Sequence, residues 1–228
     1  MEGERTFFVV EDHTLTNRGI RELIQEQGGY SCIGYAFSKS ESLEKLTELS
    51  KEEKLPDILI FMTILHGDWL SKEGKLPDIL ILDLFLGDES GLDILREVKA
   101  NLPYVKVIVY SMFAKPGIVS LALEGGADAF VLKSAPESEL FTAISTVLGG
   151  ETYVQQTLVS PLFTYRTIFD GLTRQEQVVF KKLIERKSRS QIAKEMNIVE
   201  RSLENYLSRI YMKTGCKNHE DFIRKFGE

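Results

Sequence analysis

Ile79-Leu80-Ile81-Leu82-Asp83-Leu84-Phe85-Leu86-Gly87-Asp88-Glu89-Ser90-Gly91 reads as a buried strand that delivers a carboxylate into a glycine-bearing loop. Three other apolar runs end in the same manner. Phe7-Phe8-Val9-Val10 runs into Glu11 and Asp12, Val107 to Tyr110 into Ser111, and Phe130-Val131-Leu132 into Lys133. In an open parallel sheet such strand ends share one rim, where α/β folds place their sites. Two acids, an aspartate, a hydroxyl and a lysine on one rim suit a divalent cation and a phosphoryl group.

The expected cation is Mg²⁺, which takes an octahedral oxygen shell built from one or two carboxylates, waters and phosphate oxygens. Asp12 and Asp83 are the expected direct ligands, with Glu11 beside them and the backbone carbonyl of Phe85 completing the set. With the metal present, Asp83 can attack phosphorus, while Lys133 neutralises the transferring oxygens and Ser111 donates a hydrogen bond to one of them.

From Phe7 to about Gly149, strand-like runs alternate with amphipathic stretches, the pattern of βα units on a parallel sheet. Strands are expected near 6–11, 30–36, 78–83, 106–111 and 129–132, with helices near 14–27, 40–50, 91–101, 116–124 and 136–148. The fold class is therefore α/β, a five-stranded doubly wound sheet over residues 1–150. Residues 151–171 read as a partly helical linker. From 172 to 228 no strand-like run occurs, and helices are expected near 174–186, 189–195, 202–213 and 219–226. Leu172-Thr173-Arg174-Gln175-Glu176 opens that all-α domain with a capping box.

One segment breaks the alternation. Ser50 to Ile60 recurs as Ser71 to Ile81 with ten of eleven positions identical, at a spacing of 21. The first copy leads to Met62 where the second leads to Asp83, so the second copy is assigned to the sheet. Residues 50–70 are treated as an insertion that forms an extra strand, a helix or an excursion.

Hydrophobic and charged fractions of 43% and 27% are ordinary for a globular chain. The net charge of −6 divides unevenly: −11 over residues 1–171 and +5 over 172–228, so only the tail is suited to a polyanion. Cys32 and Cys216 are too few for a disulfide framework, no signal sequence follows Met1, and the longest apolar stretch, Ile58 to Leu65, is far short of a membrane span. A soluble cytoplasmic protein with no membrane partner is expected.

In the tail, Ser190 to Ile198 reads as a helix and a tight turn, followed by a second amphipathic helix from Ser202 to Lys213. Ile192, Ile198, Leu203, Leu207 and Ile210 have the spacing of a shared core, and Ala193 permits close approach. The outward positions Glu204, Asn205, Ser208, Arg209 and Lys213, with Arg189 on the preceding helix, are the expected contacts to double-stranded DNA.

Residues 6–149 resemble the flavodoxin-like receiver domain of two-component response regulators. The likeness rests on Val10-Glu11-Asp12-His13, Asp83 with Gly91 eight residues on, Ser111, and Ala127-Asp128-Ala129-Phe130-Val131-Leu132-Lys133. It implies that Asp83 accepts phosphate from a histidine kinase, that Ser111 and Phe130 switch, and that phosphorylation drives a homodimer. The family's Lys-Pro is Lys133-Ser134 here. Phe85 and Phe113, two positions beyond Asp83 and Ser111, are bulky, which predicts slow attack by water on the acyl phosphate. Residues 172–228 resemble the LuxR/NarL-type helix-turn-helix domain through Leu172 to Glu176, Ile192-Ala193 and Lys213-Thr214-Gly215-Cys216. That likeness implies a transcription regulator. Val199, Glu204 and Tyr206 depart from its pattern.

Other classes fit less well. A phosphatase with an aspartyl nucleophile needs a second acid at the position of Phe85, and Asp12-His13-Thr14-Leu15 offers no glycine-rich nucleotide loop. The protein is thus expected not to be an enzyme beyond accepting its own phosphoryl group. The alternative reading is a phosphorylation-independent interaction or constitutive DNA-binding module.

Overall fold

The computed structural model describes residues 4–61, 77–86 and 89–227. The chain divides into two compact units, residues 1–112 with 122–154, and residues 113–121 with 155–228.

The first unit is built on a parallel sheet. Its strands are β1 (Arg5–Val10), β2 (Tyr30–Ala36), β3 (Ile58–Phe61) and β4 (Ile79–Leu82). After a short antiparallel pair, β5 (Phe85–Leu86) and β6 (Glu89–Ser90), come β7 (Lys106–Ser111), β8 (Ala129–Leu132) and β9 (Tyr153–Val154). The order is β2-β1-β3-β4-β7-β8-β9, and every neighbour is parallel. The connecting helices are α1 (Thr14–Glu26), α2 (Lys39–Lys51), α3 (Gly91–Asn101), α4 (Pro116–Glu124) and α5 (Glu137–Leu148). By residue division α4 begins in the second unit and ends in the first.

Continuous apolar runs suit this sheet because helices cover both of its faces. On one face Phe7, Val9, Ile58, Ile60, Ile79, Ile81, Ile108, Ala129 and Val131 meet Ile24 of α1 and Leu140, Ala143, Ile144 and Val147 of α5. Gly28 and Gly29, at φ +71° and +77°, turn the chain from α1 into β2 in the left-handed region that a Cβ disfavours.

Among the described residues the main sheet has seven strands rather than the expected five. One addition is β9, which pairs with β8 after Gly150. The other is β3, which comes from the first copy of the duplicated segment. It lies between β1 and the second copy, with Ile58, Leu59, Ile60 and Phe61 opposite Ile79, Leu80, Ile81 and Leu82. The apolar pattern that makes one copy a buried strand makes the other one equally well, and the copies pair in register with each other. Burying the four side chains of β3 contributes roughly 2 kcal/mol each. Ordering those residues costs about as much. Residues 62–70 of the insertion lie outside the described residues.

Behind the opposite rim, Asp128 accepts from Lys99 Nζ at 2.5 Å, from the Val107 amide at 2.9 Å and from Lys106 Nζ at 3.1 Å. Burial alone would raise its carboxyl, but these donors outweigh it and hold the group below its ordinary 3.8. A depressed folded value stabilises the fold above the unfolded value and loses that contribution as pH falls through the folded one. Asp128→Asn is expected to cost about 2–3 kcal/mol at pH 7 through its lost charged hydrogen bonds. Denaturant melts should show that difference shrinking below pH 4.

Candidate functional site

Glu11 leaves the end of β1 buried, with its amide donating to Ala36 O at 3.2 Å. Its Oε1 accepts from the His13 amide at 2.9 Å and lies 3.1 Å from His13 Nδ1, which is also 2.9 Å from Asp12 Oδ1. The ligand atoms of Glu11, Asp12 and His13 lie within 4.8 Å of one another. Burial pushes the Glu11 carboxyl up, outweighing the His13 hydrogen bonds that lower it. For Asp12 the raising effect of burial is outweighed by hydrogen bonding with Glu11 and by His13, so its carboxyl sits low. The two acids hold His13 above its usual value, Glu11 through the hydrogen bond most of all. Buried Asn17 fixes this loop by donating Nδ2 to Glu11 O and Ala36 O, both at 3.1 Å. Sequence reading passed over Asn17. A signal was present, since it stands three and seven residues before Ile20 and Ile24 on the apolar stripe of α1.

Asp83 ends β4 at 6% exposure. Its amide donates to Phe61 O of β3 at 3.0 Å, and its Oδ2 accepts from Lys133 Nζ at 2.6 Å. The Lys133 amide donates to Ser111 O at 2.8 Å, and Ser111 is fully buried at the end of β7. The structure therefore brings Asp83, Ser111 and Lys133 together on adjacent strand ends. Gly91 is required where it stands, because a Cβ there would lie 2.5 Å from both Asp83 O and Leu84 Cα. Phe130 is fully buried in β8, whereas Phe113 is half exposed. The backbone of Phe85 pairs with Ser90, but its side chain, like Gly87 and Asp88, lies outside the described residues.

The acid pair stands apart from these three. Because β3 separates β1 from β4, Asp83 is two strand spacings from Glu11 and Asp12, about 10 Å in place of about 5 Å. Ligand oxygens on one Mg²⁺ at 2.0–2.1 Å can lie only about 4.2 Å apart. Asp83 Oδ2 is turned to Lys133, and Asp83 does not join the Glu11, Asp12 and His13 set. Glu11 and Asp12 fit a divalent cation, but this sheet does not assemble them with Asp83 around one ion.

The second unit contains α6 (Gln156–Asp170), α7 (Arg174–Ile184), α8 (Arg189–Glu195), α9 (Glu200–Thr214) and α10 (His219–Phe226). Thr173 with Glu176 caps α7, and Ser188 with Gln191 caps α8, each pair bonding reciprocally. The expected linker forms α6, whose buried Tyr165 stacks on Phe169 and meets Phe180 and Phe226. Ile192, Ala193, Leu203, Leu207 and Ile210 are buried in the helix-turn-helix pair. Asn197, at φ +52°, makes the turn between α8 and α9, a left-handed position that asparagine tolerates.

Asn205, Ser208 and Arg209 are exposed on α9. Glu204 is exposed too, but it accepts from Arg189 Nη1 at 2.6 Å, so each offsets the other's charge. Lys213 Nζ donates to buried Glu176 at 2.7 Å. Burial would raise Glu176, yet Lys213 and the Thr173 donors hold it low. Lys213 thus ties the end of α9 to the capping box of α7, which spacing alone does not reveal.

A doubly wound sheet with an aspartate, a hydroxyl and a lysine on its carboxyl rim, joined to a helix-turn-helix unit, defines a receiver coupled to a DNA-binding domain. The chain belongs to the response regulators with a LuxR-type DNA-binding domain. The response regulator receiver domain matches residues 61–145, and the bacterial regulatory proteins of the luxR family match 170–226. The transcriptional regulatory protein DesR of Bacillus subtilis is 30% identical over 64% of this chain and 71% of its own. The transcriptional activator protein ExaE of Pseudomonas putida is 29% identical over 94% and 92%. In fold, the chain is similar to RcsB of Salmonella enterica serovar Typhimurium, solved bound to a promoter with phosphomimetic BeF3-, at TM-score 0.60, 18% identity and 98% of each chain. The receiver match begins at residue 61, beyond Glu11 and Asp12.

Val199, 68% exposed, occupies the N-cap of α9 with no side-chain hydrogen bond. Val199→Thr supplies the missing acceptor and is expected to stabilise the second unit by about 1 kcal/mol. Thermal unfolding followed by far-ultraviolet circular dichroism checks this.

Proposed function

We propose that this response regulator binds double-stranded DNA and that phosphorylation of Asp83 by a histidine kinase controls its homodimerisation and its effect on transcription. The observation that carries the reading is the buried Asp83–Lys133 ion pair beside Ser111, in a chain whose basic tail is a helix-turn-helix unit. An Asp83 oxygen attacks the phosphorus of a phosphohistidine, the N–P bond breaks, and the kinase histidine leaves with the bonding pair. Lys133 Nζ then passes from the carboxylate to a phosphoryl oxygen, and the Ser111 hydroxyl donates to another. Phe130 on β8 is the aromatic that repacks. Mg²⁺ is the cation that Glu11 and Asp12 suit, and when bound it would supply positive charge beside the acid pair. No helix among the described residues is long and apolar enough to cross a membrane, and the proposed place of action is the cytoplasm, with the DNA.

On the DNA side, Asn205, Ser208 and Arg209 face outward for base edges and phosphates. A structure described as two RcsB dimers on two parallel DNAs shares this fold at TM-score 0.59, which supports paired units. A second reading, a DNA-binding module that works without phosphate, is favoured by one observation: β3 separates the acid pair from Asp83.

Incubation with acetyl phosphate and Mg²⁺, read by intact mass, should add one phosphoryl group that Asp83→Asn abolishes. Absence of labelling under all Mg²⁺ concentrations would leave the second reading. For the tail, Arg209→Ala should weaken DNA binding by about 10-fold, with the salt slope reduced by about 1 if the contact is to phosphate. Unchanged affinity in a fluorescence-anisotropy titration would remove Arg209 from the interface.

A further inference from the structure

We propose that the duplicated strand is an internal competitor: the first copy occupies the edge of β1 that the second copy fits equally well, and only its withdrawal brings Asp83 beside Asp12. The proposal rests on Asp83 being the phosphoryl acceptor.

The edge of β1 does not distinguish the copies. Phe7, Phe8 and Val9 lie opposite Ile58, Leu59 and Ile60. In the second copy the same places hold Ile79, Leu80 and Ile81, and only Phe61 differs, being Leu82. The anchor at the foot of the strand is duplicated as well. The Thr6 amide and hydroxyl donate to Asp57 Oδ2 at 2.8 and 3.0 Å, and the Asp57 amide donates to Thr6 O at 3.0 Å. Asp78, the counterpart of Asp57, has no such role here. Its side chain is half exposed and only 3.7 Å from Arg5, while its amide donates to Asp57 O. If β3 withdrew, Asp78 could take over the Thr6 bonds and β4 could take over the ladder to β1, with the β4–β7 ladder untouched.

The two sheets differ in what reaches the rim. With β3 in place, the strand next to the acid pair is the copy whose sequence leads to Met62. With β3 withdrawn, that neighbour is the copy ending in Asp83, one spacing of about 4.8 Å from β1. A divalent cation and a phosphoryl group that need Asp12 and Asp83 together bind only the second sheet and so shift the population toward it. The cost is exposure of Ile58 to Phe61, which keeps the seven-stranded sheet dominant without ligand.

Amide hydrogen exchange on the full chain, with and without Mg²⁺ and beryllofluoride, reads the exchange of strands directly. Protection at Ile58–Phe61 is expected to fall at least about ten-fold with both ligands, while Ile79–Leu82 keeps its own. Two single variants should act in opposite directions on labelling by acetyl phosphate. Asp57→Ala removes the Thr6 anchor of the first copy and should speed labelling of Asp83, whereas Asp78→Ala should slow it. A chain lacking residues 50–70 retains one copy and should label at least about ten-fold faster than the full chain. Unchanged protection at 58–61 with ligands bound, or equal labelling of full, shortened and variant chains, overturns the competition and leaves Asp83 as acceptor. A shortened chain that folds and binds DNA but takes no label overturns the acceptor reading itself.

Discussion

Whichever strand forms the parallel ladder to β1 decides what the rim of this receiver can do. Carboxyl ends of adjacent strands stand about 5 Å apart, and each intervening strand adds as much again. The sheet has placed Ile58–Phe61 in that position, held by four backbone-paired residues and by the Thr6–Asp57 bonds. The separation of Asp83 from the acid pair follows from that pairing. Asp83 keeps its bonds to Phe61 O and Lys133, while Glu11, Asp12 and His13 form a separate set.

The division is chemically coherent. On the β4, β7 and β8 side, the buried Asp83 carboxylate accepts from the Lys133 ammonium, with buried Ser111 ending the strand between them. On the β1 side, Glu11, Asp12 and His13 hydrogen-bond among themselves. Neither half lacks its residues; what separates them is one strand of backbone.

The helical unit depends less on hydrophobic spacing than its sequence suggests. Aromatic packing around Phe180 links α6, α7 and α10, so α6 is a structural part of the tail. On the surface, Arg189 with Glu204 and Lys213 with Glu176 tie α8 to α9 and α9 to α7. These pairs engage Arg189, Glu204 and Lys213, while Asn205, Ser208 and Arg209 stand exposed on α9. A surface pair such as Arg189–Glu204 is worth little in stability.

Much of the architecture was legible because it is local. Continuous apolar runs, period-3.6 patterns, the Gly28-Gly29 stop and the Thr173–Glu176 capping box act over a few residues, and their elements lie within a residue or two of where the sequence places them. The four strand-end side chains were legible for the same reason, since a residue that follows an apolar run in a parallel sheet must emerge on its rim. Two apolar runs that differ only at Phe61 and Leu82, by contrast, carry no local information about which of them sits next to β1. That choice was settled by long-range pairing, and with it the distance from Asp83 to the acid pair. The partners of Lys213 and Glu204 were likewise decided only by how the helices pack, because a charge on a helix surface has many neighbours within reach until the fold selects one.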